Sequence, residues 1–325
     1  MIAYPTVFVL GAGASIPYSF PSGAELLANA KQRSPDDLYK DICERASKQY
    51  VRSFHQTLLR CQNESLDALL ENRSNEERTV GKLFMAAQLL EREYADIAGS
   101  LEEPGRGDWF RFLFSKMVEG GPTFEEFADK NPVTFVTYNY DRLVEYKLIG
   151  ALQAHYSKPV DECQKVLDKI RVLHLHGSLG TLYGGQSDVP YGCVTTDGES
   201  FTEAKCVHIQ TSAQSIHIVD EANPSRPEFS AARIALKEAH RIFFLGFSFG
   251  RTNVDRLGLE HLNKSAEIRF TSYEMTAGEY DLYIQQPFQR FQLAATNGAR
   301  RGGSEKWDCL TQLRQDVNVL LKRYD

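Results

Sequence analysis

TVFVLGAGASIPYSFPSG, residues 6–23, opens with five apolar or β-branched residues that run directly into a glycine-rich loop. Continuous apolar character, without alternation, predicts a parallel β-strand that is buried on both faces. The glycines after it predict a turn whose backbone can approach a phosphate group, with the N-terminus of the next helix facing that phosphate. The loop lacks the third glycine of the usual dinucleotide-binding pattern, so a tight structural turn explains it equally well.

Four further β-rich runs predict strands, and each run ends in small or polar residues. They are PVTFVTYNYD (132–141), RVLHLHGS (171–178), HRIFFLGFSFG (240–250) and EIRFTSYE (267–274). Helical stretches such as AARIALKEA and DRLVEYKLIGALQAHY lie between them. This alternation predicts an α/β fold with a Rossmann-like parallel sheet flanked by helices, and a ligand site at the carboxyl ends of the strands.

The rest of the chain divides by composition within a single predicted domain, 1–325. Residues 24–130 are largely polar, with apolar residues recurring every three or four positions, which predicts a helical insertion module. Residues 181–230 contain several glycines and prolines and predict a long irregular cover over the site. Residues 305–325 predict one docking helix. Its expected apolar face consists of Trp307, Leu310, Leu313, Val317 and Leu320.

Composition and charge restrict the class of protein. The chain has 325 residues and a net charge of −6 at pH 7, so nucleic-acid binding is not indicated. It contains no run of about 18 apolar residues, and we expect a cytoplasmic protein without a membrane segment. Its six cysteines form no CxxC pair, which argues against a zinc ribbon and a disulfide framework.

Polar side chains follow the second and third predicted strands. TYNYD places Asn139 and Asp141 two residues apart, and HLHGS does the same for His174 and His176. Because alternate side chains of a strand share a face, each pair is expected to point into one cleft. Asn can orient a water or a sugar hydroxyl, Asp can hold a ribose, and His can accept a proton.

Each of these residues also has a simpler interpretation. An Asn-x-Asp sequence after a strand is common in turns. His174 lies inside the apolar run VLHLH, which favours a hydrogen-bonded core histidine. His176 lies beside Gly-Ser at the end of the strand, where loops often carry function, and is the better candidate for proton transfer.

The four loops GAGAS, TYNYD, LHGS and GFSFG, in this order, resemble the motifs of the sirtuin family, which has the silent-information-regulator fold. In that family a Gly-Ala-Gly loop cradles the diphosphate of NAD, and an Asn-x-Asp segment contacts the side of the nicotinamide ribose. A His-Gly segment supplies the catalytic histidine, and a Gly-x-Ser loop touches the adenosine ribose and phosphates. The resemblance therefore implies NAD-binding roles for Gly11, Ala12, Gly13, Ser15, Gly246 and Ser248. It implies catalytic roles for Asn139, Asp141 and His176.

Differences from the family narrow the function that the resemblance implies. The deacetylase branch has GIPDFR after its first loop and two CxxC pairs, whereas this chain has IPYSFPSG and no such pair. Its first loop and helical insertion instead resemble the sirtuin-like domains of bacterial antiviral defence, which destroy NAD+. This resemblance implies a zinc-independent NAD+ hydrolase that releases nicotinamide and ADP-ribose in abortive infection. It also implies a homo-oligomer and, as a partner, a ring-forming ATPase of the HerA type.

Within this resemblance, each motif has an expected role in breaking the bond between nicotinamide and ribose. Asn139 would hold the attacking water, His176 would accept a proton, and Asp141 would orient the ribose or the nicotinamide. Ser248 would position the adenosine end. Glu274, at the end of the last predicted strand, is either an acceptor for an adenosine ribose hydroxyl or a solvated acid.

Two other functions remain open. The same loops would also serve a non-catalytic sensor that binds NAD+ or ADP-ribose and reports its occupancy to a partner. A protein deacylase would use NAD+ as well, but it would release nicotinamide only in the presence of an acyl-lysine peptide. Incubation with NAD+ alone separates hydrolysis from these two alternatives.

Overall fold

A five-stranded parallel sheet organises the chain. The computed structural model describes residues 1–97, 107–182, 189–194, 202–218, 225–272, 275–291, 293 and 308–321. The strands are β1 (Thr6–Leu10), β2 (Val133–Thr137), β3 (Val172–His174), β4 (Arg241–Leu245) and β5 (Glu267–Phe270). Their order in the sheet is β3-β2-β1-β4-β5, and every neighbouring pair is parallel. The predicted α/β class with a Rossmann-like sheet is therefore confirmed.

Helices lie between the strands. Between β1 and β2 come two 3-10 turns, Ala12–Ala14 and Ile16–Tyr18, and then α1 (Gly23–Gln32), α2 (Pro35–Asp41), α3 (Lys48–Arg60), α4 (Leu66–Leu70), α5 (Asn75–Ile97), α6 (Trp109–Met117) and α7 (Phe127–Lys130). Between β2 and β3 lie α8 (Leu143–Tyr156) and α9 (Val160–Lys169), and between β3 and β4 lie α10 (Glu203–Ser215) and α11 (Pro227–Glu238). Then come α12 (Arg251–Leu257) and a 3-10 turn, Leu259–His261, before β5. After β5 come α13 (Ala277–Tyr280), a π-helical turn (Asp281–Gln285), α14 (Gln286–Arg290), α15 (Cys309–Gln315) and α16 (Val317–Leu321).

The middle of the sheet is apolar because both of its faces are covered. All five residues of β1 and of β4 are buried, as continuous apolar character predicts. Phe8 of β1 stacks on Phe135 of β2 at 5.4 Å and on Phe243 of β4 at 5.3 Å between ring centroids. β1, β2 and β4 stop before the glycine-rich or polar residues that follow them, so the loops after these three strands lie at one edge of the sheet.

The chain between β1 and β2 is helical, and its helices share a core with one face of the sheet. The segment 181–230, predicted to be irregular, contributes α10 to the same core, where α10 packs on α5. That prediction was wrong because the α10 sequence has little helical periodicity of apolar residues and is flanked by stretches rich in turn-forming residues. The helical core is therefore completed by a distant part of the chain.

Arg142 connects the segment after β3 to the helical module through an ion pair and main-chain hydrogen bonds. Its Nε donates to Glu93 Oε1 of α5 at 3.0 Å, and both side chains are buried. Its Nη1 donates to the main-chain carbonyl groups of Thr181 and Val189. Burial raises the pKa of Glu93 to about 7, although the adjacent guanidinium opposes this shift. The Arg142 side chain thus connects the loop after β2 to α5 through the ion pair, and to the segment after β3 through the two carbonyl groups.

Two short helices replace the single docking helix predicted for 305–325. The break is at Asp316, which is buried and accepts a hydrogen bond from Arg269 Nε of β5 at 3.0 Å. Because this contact draws Asp316 toward the sheet, α15 ends before it and α16 begins after it. Of the predicted apolar residues, Leu310, Leu313 and Leu320 are buried, Val317 is half-buried, and Trp307 lies outside the described residues.

Among the residues that the structure describes, no helix has both the length and the apolar character needed to cross a membrane. All six cysteines are free thiols. Within the same described ranges, His, Cys, Asp and Glu side chains form no group of three or more that could hold a metal ion.

Candidate functional site

A cavity of about 470 Å³ opens at the carboxyl ends of β1, β2 and β4. The chain order of the sheet changes direction here, because β2 and β4 pair with opposite edges of β1. Open parallel sheets bind ligands at such a point, and the volume is in the range of small-molecule sites. Of the ten predicted site residues, nine line the cavity: Gly11, Ala12, Gly13, Ser15, Asn139, Asp141, His176, Gly246 and Ser248. The tenth, Glu274, lies outside the described residues.

The two glycine loops pack against each other, which explains the glycines in both. Gly13 N–H donates to the Gly246 carbonyl oxygen at 3.0 Å, and a Cβ on Gly13 would lie 2.7 Å from Gly246 Cα. Gly246 has a φ of +59°, and a Cβ there would lie 2.1 Å from the main-chain nitrogen of Ala14. Such short distances exclude a side chain at either position.

This packing limits which amide groups the first loop can present to a phosphate. β1 leads into two 3-10 turns instead of a long helix, and loop amides donate to main-chain carbonyl oxygens. The donors are Gly11, Gly13, Ala14 and Ser15. The glycines therefore have the structural-turn role that the sequence left open, while the loop still lines the cavity.

Asn139, Ser15 and Asp141 form a hydrogen-bonded chain beside the first loop. The Asn139 amide nitrogen donates to the Ser15 hydroxyl at 2.9 Å and to the Gly11 carbonyl oxygen at 3.0 Å. Ser15 bonds the Asp141 carboxylate, and Asp141 Oδ1 accepts from Leu143 N–H at 3.2 Å at the start of α8. Burial raises the pKa of Asp141, and the Ser15 hydrogen bond opposes this shift. The protein thus uses both amide hydrogens of Asn139, which leaves its side-chain oxygen to orient a water or hydroxyl.

His176 is 3% exposed, and its Nε2 has no hydrogen-bond partner among the described residues. Tyr138 lies edge-on to the imidazole at 5.2 Å between ring centroids, and the Tyr140 ring is tilted at 6.4 Å. Burial lowers the pKa of His176 to about 3, and the positive charge of Arg256 adds to the shift. The imidazole is therefore neutral near pH 7, and its Nε2 is a buried polar atom that a ligand can satisfy.

The end of α10 positions His176. Gly177 has a φ of +74°, and a Cβ on it would lie 2.0 Å from the carbonyl oxygen of Ser215. His217 N–H donates to the His176 carbonyl oxygen at 2.8 Å. Because α10 packs on α5, these contacts connect the His-Gly turn to the helical module.

His174 lies outside this cavity, contrary to the prediction that it shares a face with His176. β3 ends at His174, so the strand alternation that would align the two side chains stops there. His174 Nε2 is 2.7 Å from Glu145 Oε1, and its Nδ1 is 3.0 Å from the Asn139 carbonyl oxygen. Burial lowers the pKa of His174, but the Glu145 carboxylate raises it, and the net shift is upward. This is the hydrogen-bonded histidine that the apolar run favours.

The loop after β4 brings Ser248 and Arg251 to the cavity. Between them, Phe249 is buried and has a φ of +56°, a conformation that a bulky residue adopts only when its surroundings hold it there. Its ring packs against Phe247 at 5.0 Å and Phe244 at 5.1 Å between centroids. Among the described lining residues, Arg251 has the sole cationic side chain.

The helical module contributes cavity residues that sequence reasoning missed. Asp67 and Glu71 line the cavity. Ser22 and Gly23, which precede the module at the start of α1, also line it, where the sequence predicts the N-terminus of the next helix. The Tyr140 hydroxyl donates to Asp67 Oδ1, which connects α4 to the loop after β2. The one available signal was a pair of acids four residues apart in LDALLE, an otherwise apolar run that would place them on the same side of a helix.

No protein-family model matches this chain, and no curated protein matches it significantly. The interpretation of the cavity therefore depends on its geometry and on the four motifs described above.

Proposed function

We propose that the chain is an NAD+ glycohydrolase that cleaves NAD+ to nicotinamide and ADP-ribose. The observation that carries this proposal is the buried Nε2 of His176, which has no partner in the described part of the chain, at a cavity where Asn139 and both glycine loops meet. A buried polar atom without a partner costs free energy, and a catalytic or binding role is a common reason for it. The order of the loops along the chain also matches the order of the sirtuin motifs that they resemble.

The cavity provides polar groups for both parts of a dinucleotide. Arg251 can neutralise phosphate charge, and the hydroxyl groups of Ser248 and Thr252 can donate to phosphate oxygens. Asn139 and His176 come from the loops after β2 and β3, and they are the groups proposed to hold the nicotinamide ribose. Asp141 acts through Ser15, which makes it a positioning residue in this scheme.

Hydrolysis breaks the bond between ribose C1′ and the nicotinamide nitrogen. The bonding electron pair leaves with the nitrogen, so the pyridinium becomes neutral nicotinamide and positive charge develops on the ribose. A water oxygen then bonds to C1′ and releases a proton. Asn139 orients this water through its side-chain oxygen, and His176 Nε2 accepts the proton before passing it to solvent. The products are nicotinamide, ADP-ribose and a proton.

The low pKa of His176 limits its part in this chemistry. With a pKa of about 3, the imidazole alone is a weak base. It therefore holds the proton only briefly, after the bond between C1′ and the nicotinamide nitrogen has broken, and passes it to solvent.

The biological part of the proposal follows from the resemblance alone. It is depletion of NAD+ in bacterial anti-phage defence by abortive infection. An enzyme of this kind must be inactive in a healthy cell, so assembly into a homo-oligomer or binding of a HerA-type ATPase would supply the trigger. The helical module is the part of the chain that we assign to this contact.

Incubation of the purified protein with NAD+, followed by chromatography, tests the proposed activity. The parent, alone or with a HerA-type ATPase, should release nicotinamide and ADP-ribose in equal amounts. Under the same conditions His176→Ala should release neither above the uncatalysed rate, while its circular dichroism is unchanged. Equal rates in the two proteins would refute the role of His176. Calorimetry that detects no NAD+ binding to the parent would refute the function itself.

A non-catalytic sensor of NAD+ or ADP-ribose is the second candidate, and the weak basicity of His176 favours it. In a sensor, Nε2 would only accept or donate a hydrogen bond to a ribose hydroxyl. Calorimetric binding of NAD+ without release of nicotinamide, alone or with the partner ATPase, would support the sensor. A parallel reaction with an acyl-lysine peptide identifies a deacylase.

A further inference from the structure

The charged residues that line the cavity lie on two sides of the central strand. Asp67 and Glu71 belong to the helical module, and Asp67 contacts Tyr140 in the loop after β2. Arg251 follows the loop after β4. β1 separates β2 from β4, and adjacent strands are about 4.8 Å apart, so the two loops start about 10 Å from each other. The cavity therefore has an acidic side. On the other side of β1 it has one exposed cationic side chain, Arg251, whose Nε lies 3.7 Å from Asp255 Oδ2.

Asp67 is held at the acidic side by its neighbours. The Tyr140 hydroxyl donates to Oδ1 of Asp67. Oδ2 of Asp67 faces Gly23 at the start of α1, 3.4 Å from the position that a Cβ on Gly23 would occupy. Burial raises the pKa of Asp67, and the hydrogen bond from Tyr140 opposes this shift. Burial thus disfavours the charged form of the carboxylate, and a cation beside it would stabilise that form.

A second observation indicates a ligand in the same cavity. The ring of Tyr140, whose hydroxyl bonds Asp67, lies 6.4 Å from the ring of His176. His176 lines the same cavity, and its buried Nε2 has no partner among the described residues. A ligand that satisfies Nε2 is therefore one aromatic side chain away from Asp67.

We infer that Asp67 recognises the positive charge of the nicotinamide ring, and that Glu71 adds to the negative potential from the next helical turn. This inference rests on the proposed function and assigns the orientation of the substrate. The pyridinium ring lies toward the helical module, and the diphosphate lies toward Arg251. NADH has a similar shape but an uncharged nicotinamide ring, and ADP-ribose lacks the ring, so this site should discriminate NAD+ from both.

Calorimetric titration with NAD+, NADH and ADP-ribose tests the inference. Titrations are made in the His176→Ala background, so that NAD+ is not consumed. NAD+ should bind roughly tenfold more tightly than NADH, as expected for one partly desolvated charge pair. Adding Asp67→Asn keeps the side-chain shape and an acceptor for Tyr140, and it should remove most of this preference while leaving the affinity for ADP-ribose unchanged.

Glu64→Gln is the matched control, because Glu64 is exposed, lies three residues from Asp67 and does not line the cavity. It makes the same change in net charge and should keep the full preference for NAD+. If Asp67→Asn fails to fold, Glu71→Gln replaces it and should reduce the preference by a smaller factor.

Three results would overturn the inference. The first is an unchanged preference for NAD+ over NADH in Asp67→Asn. The second is an equal loss of affinity for all three ligands, because Asp67 would then support the cavity without sensing charge. In both cases ligands still bind the starting protein, and the proposed function stands. In the third, neither NAD+ nor ADP-ribose binds the parent, and the proposed function fails together with the inference.

Discussion

A pocket beside β3 and the cavity at the strand ends each contain one histidine, and the two residues lie two positions apart in the chain. In the pocket beside β3, His174 has a partner on each ring nitrogen, and its pKa is raised. In the cavity, His176 is buried with an unpartnered Nε2 among the described residues, and its pKa is lowered. The same side chain is a hydrogen-bonded structural group at one position and a neutral group that lines the cavity at the other.

The difference comes from the helices that meet the end of β3. α8 brings the Glu145 carboxylate to His174, whereas the end of α10 covers the backbone of His176 and gives its Nε2 no partner. Spacing along a strand therefore did not predict the chemistry of these histidines. The elements that pack on the end of the strand decide the chemistry of each histidine. Each substitution or pH change described below alters the contacts of one of the two residues.

Replacing the two histidines separately is the most sensitive test. His176→Asn should lower the rate of nicotinamide release by roughly 1,000-fold, because it removes the proposed proton acceptor. His174→Asn should keep most of the parent rate, because His174 lies outside the cavity. Initial rates at saturating NAD+ measure both variants. Equal losses would mean that the two histidines are not functionally distinct.

Gly177→Ala should disturb the turn of His176 and leave the contacts of His174 in place. The φ of +74° and a Cβ only 2.0 Å from the Ser215 carbonyl oxygen should lower the free energy of unfolding by about 2–3 kcal/mol. Urea denaturation measures this. Gly150→Ala is the control, since Gly150 lies within α8 with open space around it, and it should raise stability by up to about 1 kcal/mol. Unchanged stability in Gly177→Ala would contradict the packing of α10 on this turn.

Acid should destabilise the protein through His176. Its pKa of about 3 in the folded state lies below the ordinary value of 6.5, so between these values the unfolded chain binds a proton that the folded chain does not. The contribution to stability is complete above pH 6.5 and is lost as the pH falls toward 3. From pH 7 to pH 5 this loss is about 2 kcal/mol. In urea denaturation, the free energy of unfolding of His176→Asn should fall by about 2 kcal/mol less than that of the parent between pH 7 and pH 5. The same fall in both proteins would argue against a buried neutral imidazole.

The His174–Glu145 pair should give a smaller effect of opposite sign. A raised pKa stabilises the folded state below the ordinary histidine pKa, and this stabilisation is lost as the pH rises through the folded-state value. Glu145→Gln should therefore lower stability by on the order of 1 kcal/mol at pH 6 and by less at pH 9. Thermal denaturation at the two pH values measures the difference. A larger effect at pH 9 would show that the pair is not charged in the way we describe.

Local patterns were enough to predict the sheet and most of the cavity. Continuous apolar runs predicted the strands. The polar residues that follow such runs lie at the same edge of a parallel sheet, as Asn139 and His176 do. The acidic side of the cavity left no such pattern, because Asp67 meets Tyr140 across 73 positions of the chain. The contact of the first loop with Gly246 could not be predicted from local patterns, because only the folded sheet brings the two loops together.

The position of β1 in the sheet has a consequence for synthesis of the protein. β1 is made first, yet its second edge pairs only with β4, at residues 241–245, and the helical core needs α10 from residue 203 onward. At about 5–20 residues per second, a ribosome takes on the order of ten seconds or more to supply these parts. Until then the nascent chain has no Gly246 loop and no complete cavity. If the chain hydrolyses NAD+ as we propose, it would thus lack a complete site for most of its time on the ribosome.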